Sequence, residues 1–156
     1  MTGQEQRVSM QEEKSHREPG LYGGGEIRGL RALVCEDEGL TQMQLARALG
    51  RAGVLVVAAA KTGDVGVELA LAERPDLVLL DVDMPCMDGV QAAELILRVF
   101  RPCIIMLSAY SGEVRDRALA LGVAGFVQKP VSGETLVREI SRGYRQYVLS
   151  GAGAQI

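Results

Sequence analysis

The 156-residue chain has no tryptophan, only two phenylalanines and four tyrosines, and a single histidine. It also has no lysine- or arginine-rich block. Both the stacking platform and the electrostatic footprint of a nucleic-acid binder are therefore missing, and direct contact with DNA or RNA is not expected. Cysteine is scarce: Cys35, Cys86 and Cys103 are odd in number and irregular in spacing, which argues for reduced thiols rather than a disulfide framework. No apolar run approaches membrane-spanning length, and the polar first residues lack a signal-peptide pattern, so a cytoplasmic protein without a membrane partner is expected.

What is present fits one globular domain. Apolar residues make up 47% of the chain and charged residues 24%, enough of each for one buried core under a solvated surface. Residues 1–28 are poor in apolar side chains, mix charges of both signs and include Gly23, Gly24 and Gly25, so they read as a flexible tail. Residues 29–148 read as the domain and 149–156 as a short C-terminal tail.

Within the domain, short apolar runs alternate with longer segments of helical period, the pattern of a parallel sheet with crossover helices. Strands are expected at Leu30–Cys35, Val54–Ala58, Leu77–Leu80, Cys103–Leu107 and Gly125–Val127. Helices are expected at Thr41–Arg51, Gly63–Glu73, Gly89–Val99, Gly112–Leu121 and from Ser132 to about Tyr147. Thr41 with Gln44 suggests a capping box and Ser132 an N-cap, while Gly53 and Gly122 fall where helices end in a left-handed residue. Five such units predict an α/β fold, the flavodoxin-like doubly wound five-stranded parallel sheet of order 2-1-3-4-5 with helices on both faces.

In such a sheet, ligands bind beyond the carboxyl ends of the strands. There the chain delivers Glu36 and Asp37 after strand one, Asp81 after strand three, Ser108 at the end of strand four and Lys129 after strand five. Carboxylates about 4 Å apart repel by about 4 kcal/mol per pair at an effective dielectric near 20, so three converging acids call for a cation. Magnesium, or manganese, suits an all-oxygen set of this kind. Asp81 is the best-placed nucleophile, because a carboxylate can attack a phosphoryl group and the rest of the chemistry is positioning and charge neutralisation. Lys129 could then pair with a phosphoryl oxygen and the Ser108 hydroxyl could bond another.

The acidic pair, the run Leu79-Leu80-Asp81-Val82-Asp83-Met84-Pro85 with Asp88-Gly89, the Ser108-Ala109 step and Phe126-Val127-Gln128-Lys129-Pro130 together resemble the bacterial response-regulator receiver family, here in a single-domain form. The resemblance spans about Leu30 to Tyr147. It implies that Asp81 is the phosphoacceptor, that Glu36, Asp37, Asp81 and the backbone carbonyl of Asp83 surround the metal, and that Ser108 and Lys129 contact the phosphoryl group. It also implies a cis Lys129–Pro130 peptide. Ser108 and Phe126 would form a switch that remodels the face made by the fourth helix, fifth strand and fifth helix. The implied partners are a sensor histidine kinase or phosphotransfer protein, an output protein, and a second copy of the chain across that face. Glu36 stands where the family often has Asp, and Ser108 where Thr is frequent; both keep the needed oxygen. Tyr110 and Asp83 occupy positions where the family varies its dephosphorylation rate.

Two other readings compete. Asp81-Val82-Asp83 is also the DxD of haloacid-dehalogenase-like phosphatases, but that family places it after the first strand, with a second acidic pair after the lysine. A pure binding module of the same fold would have no use for the three acids. The resemblance therefore predicts a signalling protein that at most catalyses its own phosphorylation and dephosphorylation. His16, in the polar tail, is given no relay role. Met84 and Met87 are expected to pack the loop, and Cys86 to lie exposed beside the site.

Overall fold

Strands in the middle of a parallel sheet are covered on both faces and so carry apolar side chains without a break. The computed structural model describes residues 25–110 and 112–154. Its strands are β1 (Arg31–Cys35), β2 (Leu55–Ala60), β3 (Leu77–Asp81), β4 (Cys103–Ser108) and β5 (Gly125–Gln128). They form one parallel sheet in the order β2-β1-β3-β4-β5. β3 and β4 are buried along their whole length, whereas the edge strand β2 is largely half-buried or exposed.

The connecting helices are α1 (Gly39–Arg51), α2 (Gly63–Glu73), α3 (Gly89–Leu97), α4 (Glu113–Leu121) and α5 (Gly133–Leu149). Because side chains alternate across a strand, each central strand feeds two cores. Leu33, Val78, Leu80, Ile104 and Met106 meet Ala70 of α2, Ala92, Ala93 and Ile96 of α3 and Ala118 of α4. Their neighbours in sequence, Ala32, Val34, Leu79, Ile105 and Leu107, meet Leu45 and Leu49 of α1 and Leu136 and Ile140 of α5. Each fully buried leucine or isoleucine contributes about 2 kcal/mol, so this two-sided burial fixes the register that aligns the strand ends.

Ser132 caps α5, accepting the Thr135 amide at 3.2 Å, and Gly53 and Gly122 take the left-handed conformation at φ +83° and +100°. The expected capping box at Thr41 and Gln44 is a correction. α1 begins two residues earlier, with Glu38 in the N-cap position, and the Thr41 hydroxyl donates to the Glu38 carboxylate at 2.9 Å. Thr41 thus lies inside the first turn, its hydroxyl a donor to Glu38 and not the acceptor a capping box requires. α3 stops at Leu97, short of the expected Val99, as the Val99 and Phe100 amides both fold back onto the Ile96 carbonyl.

The expected boundary between tail and domain, at residues 28 and 29, is also corrected. Gly25–Ile27 forms a 3-10 turn, Ile27 is fully buried with the α1–α5 core, and Glu26 pairs with Arg145 of α5 at 2.6 Å. One isoleucine in an otherwise polar stretch suffices to anchor the turn. The remainder of the expected tail, residues 1–24, lies outside the described residues. At the other end α5 runs through Leu149, and a 3-10 turn at Ala152–Ala154 brings Gly153 against the Tyr147 ring. Among the described residues, no helix is long and apolar enough to cross a membrane.

Candidate functional site

Leaving β1, the backbone keeps its strand alternation for one more residue, and this turns Glu36 inward and Asp37 outward. Glu36 is 1% exposed and donates its amide to the Ala60 carbonyl at 2.9 Å, whereas Asp37 is exposed. Asp81 is the last residue of β3 and only 3% exposed. Since β1 and β3 are paired neighbours, oxygens of Glu36, Asp37 and Asp81 fall within 4.8 Å of one another.

Lys129 reaches this cluster from the end of β5. Its Nζ donates to Glu36 Oε1 at 2.9 Å and to Asp81 Oδ2 at 3.1 Å, so one ammonium bridges two buried carboxylates. Its own amide donates to the Ser108 carbonyl at 2.8 Å, and the Lys129–Pro130 peptide is cis. Burial and the neighbouring Asp81 push the Glu36 carboxyl up to about 7, against the opposing pull of Lys129. For Lys129, burial acts to lower the value, but the hydrogen bond to Glu36 and the charge of Asp81 outweigh it and hold the ammonium above its ordinary range.

One cation among three acids leaves capacity for another. Glu36 Oε2 is buried and has no hydrogen-bond partner among the described residues, a costly state that an added cation would relieve. The donor set is hard oxygen throughout, which fits magnesium or manganese and not a soft metal. A cleft of about 610 Å³, lined by Glu36, Asp37, Asp81, Asp83 and Lys129, opens the cluster to solvent and extends toward Leu45 and Leu136.

The loop from β3 to α3 is tightly fixed. The Val82 amide donates to the Leu107 carbonyl and the Gly89 amide to the Val82 carbonyl, each at 2.8 Å, and Asp88 caps α3 by accepting the Gln91 amide at 2.8 Å. Asp83 is exposed on the cleft wall, its amide 3.4 Å from Asp81 Oδ1. Met84 is buried in the core and Met87 packs against it, as expected of both. Cys86 is exposed and adopts φ +70°, a left-handed conformation uncommon for a residue with a side chain.

Two expected site residues stand apart from the acid cluster. Ser108 is fully buried at the end of β4, and its Oγ accepts the Tyr110 amide at 2.9 Å instead of lining the cleft. Phe126 pairs with Met106 across the β4–β5 ladder and packs half-buried against the α2–α4 core. Tyr110 is 64% exposed.

The sequence reading gave no packing or positioning role to three residues that shape the site. A Cβ on Gly89 would collide with the Asp81 carbonyl, and one on Gly63 with the Met87 carbonyl, so glycine at both sites lets the loop lie against the sheet end. A glycine opening each helix straight after a loop was the available signal. Gln42 donates to the carbonyls of Glu36 and Ala60, and nothing in the sequence singles it out.

Known proteins give the same picture. The model of the response regulator receiver domain family matches residues 32–141. The chain is 36% identical over 111 residues to the transcriptional regulatory protein PdtaR of Mycobacterium tuberculosis, covering 70% of this chain and 54% of that one. It is 40% identical over 104 residues to a protein-glutamate methylesterase/protein-glutamine glutaminase of Archaeoglobus fulgidus, covering 65% of this chain and 30% of the relative. The match thus spans between about a third and half the length of these two relatives. Among solved structures it resembles the signal receiver domain of NarL from Mycobacterium tuberculosis, with a TM-score of 0.66 and 32% identity over 81% of this chain and 98% of that one. The receiver domain of Thermotoga maritima CheB is similar, with a TM-score of 0.64 and 27% identity over 81% and 98% of the two chains. With the sheet order, the strand-end acids and the bridging lysine already in place, these matches show that the chain belongs to the response regulator receiver family.

Proposed function

We propose that this protein is a phosphorylation-dependent signalling switch in which Asp81 is the phosphoacceptor. The reading rests on one observation above all: Lys129 bridges Asp81 and Glu36, the phosphoacceptor and a metal ligand in this scheme, from the far strand of the sheet. An Asp81 carboxylate oxygen attacks phosphorus in line. The bond between phosphorus and the donor's nitrogen or oxygen breaks, its electron pair leaves with the donor, and an acyl phosphate remains. Magnesium or manganese, held by Glu36, Asp37, Asp81 and the Asp83 backbone carbonyl, would supply charge neutralisation for the phosphoryl oxygens.

Lys129 exchanges its contact with Asp81 for one with a phosphoryl oxygen, a charge-assisted bond of the stronger class. Ser108 releases the Tyr110 amide and turns its hydroxyl toward a second phosphoryl oxygen. The space this opens beside β4 lets Phe126 rotate inward, which alters the surface of α4, β5 and α5. The new group carries a charge of about −1.5 to −2, enough to bias such a two-state element by a few kcal/mol. The chemistry is self-modification rather than turnover of a substrate. The donor is a sensor histidine kinase, a phosphotransfer protein or a small acyl phosphate, and an output protein or a second copy of the chain reads the altered face.

The test is intact mass after incubation with acetyl phosphate and magnesium. Wild type gains a single phosphoryl group, while Asp81→Asn, or wild type in chelator, gains none. Modification of Asp81→Asn to the same extent as wild type contradicts the assignment.

A further inference from the structure

The turn carrying Glu36 and Asp37 is tied from behind by one side chain that stands outside the acid cluster. Gln42, in the first turn of α1, donates one amide hydrogen to the Glu36 carbonyl at 3.1 Å and the other to the Ala60 carbonyl at 3.0 Å. The Ala60 carbonyl also accepts the Glu36 amide at 2.9 Å. Glu36 is therefore held at its N–H by β2 and at its C=O by Gln42. A change of the Glu36 ψ angle would move Asp37 relative to Glu36, and with both the N–H and the C=O of Glu36 bonded this fork opposes it. No other side chain among the described residues donates to either carbonyl.

We propose that Gln42 is a positioning residue for the divalent cation: by pinning the ends of β1 and β2 together it holds Glu36 and Asp37 at the spacing the ion requires. The proposal rests on reading the acid cluster as a magnesium site. The fork holds the backbone of Glu36, whose buried Oε2 has no hydrogen-bond partner among the described residues. Magnesium demands near-ideal octahedral geometry at short range, whereas calcium tolerates longer and irregular coordination. A ligand turn that drifts by a few tenths of an ångström therefore penalises magnesium far more than calcium. This separates positioning from general structural support, which would weaken both ions alike.

The experiment is calorimetric titration of the full chain with magnesium and, separately, with calcium, alongside thermal melting without metal. Gln42→Met keeps the side-chain length and removes both donors. Gln42→Asn keeps the amide but is one methylene too short to span the two carbonyls, and it serves if the methionine variant folds poorly. Gln42→Arg restores long donors. The expected result is a rise of about tenfold in magnesium Kd for the methionine and asparagine variants, as for loss of other groups that orient metal ligands. Calcium Kd should rise less than about threefold, and arginine should recover most of the magnesium affinity. Unchanged magnesium affinity in both variants, or equal losses for the two ions, overturns the role of Gln42 while leaving the metal site intact. Absence of magnesium binding by wild type overturns the metal site itself and this inference with it.

Discussion

The two halves of the site differ in how much is already built. On the β1–β3 side, Glu36 and Asp81 are buried, face each other and share Lys129. On the β4–β5 side, Ser108 is turned onto the Tyr110 amide and Phe126 lies half-buried against the opposite core. The first half is preorganised for charge and the second is arranged for a resting state. Under the proposed mechanism, binding and attack need little rearrangement, whereas transmission needs β4 and β5 to break a hydrogen bond and repack.

The largest expected effect falls on the preorganised half. Lys129→Met leaves Glu36 and Asp81 facing each other without their cation, and truncating one partner of a buried charge pair costs about 3 kcal/mol or more. Urea denaturation at pH 8 should show that loss, and added magnesium should recover much of it by binding the folded form. An unchanged denaturation midpoint would mean that the two acids are not held together by this lysine.

Next in size is a pH effect of unusual sign. The Glu36 carboxyl is raised from an ordinary 4.5 to about 7 in the folded protein, with Asp81, Asp37 and Lys129 facing it. Between those values the folded chain holds a proton that the unfolded chain has lost, so stability falls as pH rises from 4.5 to 7 and then levels off. A carboxylate with a lowered value would give the opposite slope. Denaturation midpoints in chelator at intervals across this range should decline for wild type and flatten for Glu36→Gln. Equal slopes in the two proteins would remove Glu36 as the source.

The smallest effect on modification, and the sharpest test of the comparison, is Ser108→Ala. Losing one hydroxyl contact to the phosphoryl group should slow phosphorylation of Asp81 by about tenfold or less, the worth of a single hydrogen bond. It should also abolish the change that beryllofluoride, an acyl-phosphate mimic, causes in the NMR resonances of Phe126 and Val127. Full transmission in this variant would show that β5 responds without Ser108.

The fold and the charged half of the site were legible in the sequence for the same reason. The apolar runs at β3 and β4 suit strands covered on both faces, and in the doubly wound order Glu36, Asp81 and Lys129 meet at one edge of the sheet. The start of α1 was misread because Thr41 and Gln44 imitate a capping box, whereas the helix begins at Gly39 and the Thr41 hydroxyl donates to Glu38. Ile27 was assigned to the tail since one apolar residue carries no period. The orientation of Ser108 depends on the position of the Tyr110 amide, a matter of local backbone path that residue type does not encode. Gln42 escaped notice because a glutamine in a first helical turn reads as solvated unless the two carbonyls behind it are known.

In the proposed mechanism phosphorylation comes down to a single pair, the carboxylate of Asp81 and the incoming phosphorus, and trapping the product tests it most directly. Borohydride reduces an aspartyl phosphate to homoserine, so protein treated with acetyl phosphate and magnesium, then reduced and digested, carries a chemical mark at the acceptor. Peptide mass mapping should find homoserine in place of Asp81 and at no other acid, Glu36 and Asp37 included. Homoserine at a different aspartate, or phosphorylated protein with none, would contradict the account.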